Sequence, residues 1–447
     1  LGEEVALAAS RAPPGARFCI AGGVHRLQSI EPKAGQSFYG ERGAVLNGAR
    51  ILSGFVRHGT RWVATVPRPP TVERGVCEDG GVLCRLPLAV FLDGQPLRRV
   101  HAGEVGPGRF FYDPAAREVT LGDDPRGRMV EASEATFAFT GTAPSVRIVG
   151  LTVERYANPA QEGAVRGLGP GWRVEHSEFR FNSGAGVSID AEGAVLDCLI
   201  HSNGQLGATG DGNHLVFAGN RIWNNNIFGF SASWEAGGIK VTDAREVTFR
   251  DNHVAGNRGP GLWCDERCGD VLIEGNHVER NEGAGIFFEL SAGATIQDNR
   301  IVENGQAKPG WYWGADIQIA ASEEALVTGN EIVVRPGGRA IMLIDQNRHR
   351  LGGGYYRTRG NRVIGNRVVF LGDGAAGGVS DAPPGAANFG IIESGGNVFD
   401  RNRYAAPAGA RVRFVWGRTA TDFVGFRKRG QEAEGESVLL PTVANQP

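Results

Sequence analysis

Residues 235–291 read EAGGIKVTDAREVTFRDNHVAGNRGPGLWCDERCGDVLIEGNHVERNEGAGIFFELS, and one unit of about two dozen residues is written twice within them. Arg250-Asp251-Asn252-His253-Val254 answers to Glu274-Gly275-Asn276-His277-Val278, Asn257 to Asn281, and Gly261-Leu262-Trp263-Cys264-Asp265 to Gly285-Ile286-Phe287-Phe288-Glu289. A fixed period of this length marks a solenoid, whose units cannot bury their apolar faces alone and must stack. The segments between Asn and Gly punctuation are short and alternating, which selects strands over helices.

Composition agrees. A chain of 447 residues exceeds the size of one globular core, a limit a solenoid escapes by growing in one dimension. Its 68 glycines follow no collagen period, and 41% hydrophobic residues exclude a disordered chain. The net charge of −2 is spread along the sequence without basic blocks, so a nucleic-acid partner is not expected. No apolar run approaches the ~20 residues of a membrane span. Six cysteines and a chain that opens on Leu1 fit a secreted or periplasmic protein. Cys77 and Cys84 close the Gly-rich loop CEDGGVLC and are the first candidate disulfide; Cys264 and Cys268 are the second, while Cys19 and Cys198 are expected in the core.

Taken in order, residues 1–50 are expected to form an N-terminal helical cap and the first coils. Residues 51–142 change rhythm: prolines 67, 69 and 70 interrupt any ladder, and turns at Asp93-Gly94 and Asp113-Pro114 predict hairpins in a β-rich insertion. The main β-helix is expected over 143–405 and a C-terminal cap and tail over 406–447, with Thr421 as the N-cap of a short helix. The whole is an all-β fold, a right-handed parallel β-helix of about ten coils with an insertion and helical caps. Its first-turn position runs Ser177, Cys198, Asn220, Asn252, Asn276, Asn299, Asn330, Asn366 and Asn402, and a second row runs Asn182, Asn203, Asn225, Asn257, Asn281 and Asn304. Such rows are expected to be hydrogen-bonded ladders rather than chemistry.

Two intervals in the first row are long, 32 residues from Asn220 to Asn252 and 31 from Asn299 to Asn330. The excess falls at one corner, before the third strand, as IFGFSASWEAG and QAKPGWYWG, and is expected to wall a groove with Phe228, Phe230, Trp234, Trp311, Tyr312 and Trp313. A third loop follows the third strand around 348–357. Alternation turns Leu262, Cys264, Ile286 and Phe288 inward and Trp263, Asp265, Phe287 and Glu289 outward. The same register gathers Asp190, Asp211, Asp265 and Glu289 in one column, with Lys240 diagonally beside it. Carboxylates on adjacent coils start about 4.8 Å apart, near the roughly 5–5.5 Å of a retaining glycosidase pair, and like charges so close raise at least one pKa. Asp265 and Glu289 are therefore the expected catalytic pair, with Asp211 as a third carboxylate and Glu289, beside Phe287, the better proton holder. Glu235, Lys240, Trp263, Phe287, Trp234, Trp311, Trp313, Gln318 and His201 are the expected substrate contacts.

The blocks HSNGQLG, EAGGIK, GPGLWCD and GIFFELS resemble those of right-handed parallel β-helix proteins of the pectate-lyase-like superfamily, particularly secreted bacterial carbohydrate-active members. The resemblance implies a polysaccharide or oligosaccharide partner and, with the carboxylate column, a glycoside hydrolase needing no metal or other cofactor. Two alternatives share the fold. Glu235 and Lys240 resemble the Glu and catalytic Lys of β-helix lyases, which implies a polysaccharide lyase or uronate epimerase using Lys240 as base with Ca²⁺, although Trp263 and Asp265 stand where such enzymes carry an Arg. A non-catalytic carbohydrate-binding or adhesion protein is the other, and predicts no aromatic insertions at one corner.

Overall fold

The computed structural model describes residues 4–306, 311–350 and 352–440. They divide into two compact units, Leu1–Thr209 with Asn224–Ala236, and Gly210–Trp223 with Gly237–Pro447. Among the described residues no helix is long and apolar enough to cross a membrane.

The first unit opens with the helix Val5–Arg11, followed by parallel ladders such as Arg17–Ile20, Ser37–Gly40, Arg147–Val149 and Arg173–Glu175. Ser37–Gly40 pairs directly with Arg147–Val149 and Ala44–Asn47 with Thr152–Glu154, while Phe139–Gly141 pairs with Gly163–Gly167, so the chain between Asn47 and Phe139 is an excursion from the ladders. Its hairpins are antiparallel, as the turn signals predict: Arg109–Asp113 pairs with Glu118–Leu121, and Val90–Leu92 with Gln95–Pro96. It has its own apolar core of Val90, Phe110, Tyr112, Val119, Leu121 and Val130. Glu131 is fully buried yet paired to Arg26 at 2.6 Å and to Arg155, so the excursion is tied back to the ladders through a compensated charge. Cys77 and Cys84 are disulfide-bonded.

In the second unit three parallel ladders run side by side. One of them comprises Gly237–Thr242, Leu262–Asp265, Ile286–Glu289, Ile317–Ala320 and Gly338–Asp345. Turn chemistry explains the repeat. The residue before each ladder asparagine adopts positive φ, at Gly219, Asp251, Gly275, Asp298, Gly329, Gly365 and Arg401, and Asp or Gly stands at six of these seven positions because they tolerate that conformation. Each asparagine then accepts from the previous coil and donates onward, from Asn220 through Asn252, Asn276, Asn299, Asn330 and Asn366 to Asn402. The last member must accept without passing a proton on, and a carboxylate serves: Glu432 receives Asn402 at 2.7 Å, and Asp316 receives Asn304 at 3.0 Å. Burial pushes the Asp316 carboxyl up to about 7.

Three expectations need correction. Cys264 and Cys268 are both free and buried; Cys264 points into the core, and the Cys268 thiol is turned to the carbonyls of Val241 and Asp265 at 3.5 and 3.4 Å. Cys19 is exposed, on the outward-facing side of Arg17–Ile20. The C-terminal helix Phe423–Lys428 is capped by Asp422, whose carboxylate accepts from the Gly425 amide at 2.7 Å, while Thr421 ends the preceding strand.

Candidate active site

The third ladder of the second unit keeps the register that alternation predicts. Lys240 lies beside Trp263, Trp263 beside Phe287 and Phe287 beside Gln318 in one outward column; Thr242 lies beside Asp265, and Glu289 beside Ala320, in the other. Glycine fixes how closely these coils approach. A Cβ at Gly238 would sit 2.3 Å from the Gly261 carbonyl oxygen, one at Gly261 2.6 Å from that of Gly285, and one at Gly285 2.6 Å from that of Asp316.

What the sequence does not foretell is the cover. Trp263, Phe287, Ala320, Met342 and Ile344 form an apolar cluster on this outward face, with Tyr312 and Trp313 packed against it. Only 11% of the Asp265 side chain and 10% of that of Glu289 remain exposed. In place of the expected open groove both carboxyls are nearly buried, on a face where the later coils carry apolar residues outward. The insertion that supplies Tyr312 and Trp313 is described only from residue 311 onward, residues 307–310 lying outside the described residues. Trp313 meets Phe287 edge-on at 6.5 Å, and Trp311 is 42% exposed.

Charge is distributed unequally between the two carboxyls. Asp265 forms an ion pair with the Lys240 ammonium at 3.0 Å and accepts from the Glu266 amide at 2.9 Å. The same ammonium lies 4.1 Å from the centre of the Trp263 ring, a cation–π contact that fixes it further. Glu289 is paired at 3.7 Å with the half-exposed guanidinium of Arg348. Burial first and the neighbouring Asp265 second push the Glu289 carboxyl up to about 8, against the opposing pull of Arg348, Lys240 and the Trp263 indole. The buried Trp263 Nε1 has no hydrogen bond of full geometry, leaving a donor beside this carboxyl.

Arg348 is a site residue that single-strand alternation could not reveal, since it enters from the loop after Gly338–Asp345. The loop is held down: Asp345 accepts from the Thr358 amide at 3.1 Å, and Asn388 donates to the carbonyls of Tyr356 and Gln346 at 2.7 and 3.1 Å. Its position in the sequence, directly after a third strand, was the available signal.

Several expected contacts take other partners. Asp211 is exposed and receives the Thr242 hydroxyl at 3.5 Å, leaving it outside the covered pair. Gln318 is buried and accepts from the Gly314 amide at 2.9 Å, orienting the aromatic loop rather than facing a ligand. Glu235, Trp234 and His201 belong to the first unit. Glu235 is buried and receives the Gln161 side-chain amide, and His201 bonds Glu178 at 3.1 Å and Ser202 at 3.2 Å. Phe230 and Trp234 do not wall a groove: they pack with Phe228 on the Cys77–Cys84 disulfide. Gly75 makes that possible, since a Cβ there would stand 2.6 Å from the Phe230 ring.

The Ca²⁺ of the lyase alternative does not suit this donor set. Calcium takes six to eight oxygens, whereas Lys240 brings an ammonium against Asp265, and Glu289 favours its protonated form.

Comparison with known proteins agrees with the architecture. A family model described as a right handed beta helix region matches residues 163–332. The chain has the right-handed parallel β-helix fold. Its structure is similar to that of XylC in complex with xylose, at a TM-score of 0.63 and 13% identity over 97% of this chain and 82% of that one. It is also similar to the A-module of mannuronan C-5 epimerase AlgE6 from Azotobacter vinelandii, at a TM-score of 0.53 and 13% identity over 98% and 93%. At such identity these β-helices share the fold alone. No curated protein matches the sequence.

Proposed function

We propose that this protein is a glycoside hydrolase acting on an oligosaccharide or a polysaccharide end by double displacement, with Asp265 as nucleophile and Glu289 as acid and base. The observation that carries the reading is the division between two carboxyls on adjacent coils, one ion-paired to Lys240 and the other pushed up to about 8. A carboxyl that keeps its proton near neutral pH, beside a second one held in an ion pair, is what acid–base catalysis there requires. Adjacent coils start about 4.8 Å apart, close to the roughly 5–5.5 Å of retaining pairs and short of the inverting range.

In the first step the Asp265 carboxylate attacks the anomeric carbon while Glu289 gives its proton to the departing glycosidic oxygen. The bond to the leaving group breaks and an ester to Asp265 forms. Glu289, now ionised, takes a proton from a water molecule that attacks the same carbon, which releases Asp265 and restores Glu289. Lys240 holds Asp265 in place, and Arg348 supports the charge on Glu289 between the steps. The small exposed fraction of both carboxyls favours a single sugar at a chain end over a long strand laid across the coils. XylC, whose structure contains xylose, supports a sugar as the partner of such a fold. Export from the cell would bring such a site to extracellular glycans, and the disulfide is compatible with that.

The test is a panel of oligosaccharides, polysaccharides and aryl glycosides, read for reducing ends, for unsaturated-uronate absorbance and, by proton NMR, for the first anomer released. Hydrolysis with retained configuration, lost by several orders of magnitude in Asp265→Asn, is expected. Unsaturated product, inverted configuration or an active Asp265→Asn would overturn the proposal.

A further inference from the structure

The repeated Asn-His-Val of the opening stretch has a consequence outside the catalytic ladder. It places His253 and His277 at paired positions on the neighbouring strands His253–Ala255 and His277–Glu279, with their rings stacked at 4.8 Å and 12°. Among the described residues the buried Nε2 of His277 has no hydrogen-bond partner, which leaves this nitrogen available to a ligand. Glu279 reaches both rings, with Oε1 at 3.0 Å from His253 Nε2 and Oε2 at 4.0 Å from His277 Nε2. All three ligand atoms lie within 4.8 Å of one another.

We propose that His253, His277 and Glu279 form a binding site for a divalent transition-metal ion of the zinc type. Two imidazole nitrogens and one carboxylate oxygen are a donor set that zinc takes at about 2.0–2.2 Å, with water in the remaining position. Tetrahedral bonds of that length set ligand atoms roughly 3.4 Å apart, between the 3.0 and 4.0 Å present. Small side-chain rotations would therefore close the site without moving the coils. The ion would displace the His253–Glu279 hydrogen bond and compete with Arg280, which holds Glu279 Oε2 at 2.7 Å. Arg300, the partner of His277 on the next strand, adds a positive charge that weakens binding, so micromolar rather than structural-finger affinity is expected. Bound there, the ion would join two successive coils without touching the candidate catalytic pair.

The experiment uses the full chain, dialysed against EDTA and then freed of it, titrated with zinc chloride by calorimetry, with calcium chloride as the hard-cation control. One zinc per chain is expected, with no comparable calcium binding. Affinity should fall at least tenfold in His277→Gln and in Glu279→Gln, and the melting temperature of the wild type alone should rise with zinc. Both side chains are partly exposed, and melting without zinc verifies that each variant is folded. Absence of a one-to-one site in the wild type, or a zinc isotherm unchanged in His277→Gln, would overturn the proposal.

Discussion

Replacing Glu289 by glutamine should make the protein more stable and less active at once. The unfolded chain ionises this carboxyl as pH rises through its ordinary value of 4.5, whereas in the fold the proton is kept until about 8. Ionisation therefore favours the unfolded state throughout that window. Below pH 4.5 the fold loses nothing; above it the loss grows by about 1.4 kcal/mol per pH unit and levels off past 8. At pH 7 it is on the order of 3 kcal/mol, which in a chain of this length corresponds to about 3 °C of melting temperature. Glutamine has nearly the same shape and no charge at any pH, so the variant escapes the loss.

The assay is thermal melting of wild type and Glu289→Gln at pH 4, 5.5, 7 and 8.5, beside turnover on a confirmed substrate. The curves should coincide at pH 4 and separate as pH rises, the variant melting higher, while turnover falls about 10²–10⁴-fold. A variant that melts at or below wild type at every pH, or a gap that does not grow with pH, would refute the protonated buried carboxyl and the acid role with it.

Arg348→Met removes a charge that lowers the Glu289 pKa, so the alkaline limb of kcat/KM should move to higher pH; a limb that stays in place separates Arg348 from the acid. Asp316 is another carboxyl with a raised value, about 7, so it contributes stability at low pH that is lost as pH rises toward 7. Asp316→Asn should flatten that decline in melting temperature, and an unchanged pH profile would count against it. Thiol titration of the denatured, unreduced chain should find four free cysteines, Cys19, Cys198, Cys264 and Cys268. Cys77→Ser should loosen the residues around Phe230 by about 2–3 kcal/mol, read as faster amide exchange there.

The repeat was legible because its determinants are local: positive-φ residues before each ladder asparagine, glycines where coils nearly touch, and two-residue alternation on the third strand. That register correctly brought Lys240, Trp263, Asp265, Phe287 and Glu289 together. Long-range packing was not legible. Nothing local in IFGFSASWEAG shows that Phe230 and Trp234 will be claimed by the Cys77–Cys84 loop, more than a hundred residues earlier. The burial of an outward face was equally hidden, because alternation says which way a side chain points and not what lies on top of it. Arg348 belongs to the same class, since a loop residue's reach depends on how the loop is tied down.

The inequality of the two carboxyls has its origin in where they stand along their column. On one side are Asp211, exposed, and Thr242; on the other are Ala320 and Ile344, both fully buried. Asp265 sits on the polar side of this boundary, within reach of an ammonium, and Glu289 sits on the apolar side, where losing a proton means placing charge against buried aliphatic groups. The strands beneath them are equivalent by repeat, so the backbone cannot tell the two apart. A change of polarity across neighbouring coils does so, and a solenoid can build that change simply by altering one outward position per turn.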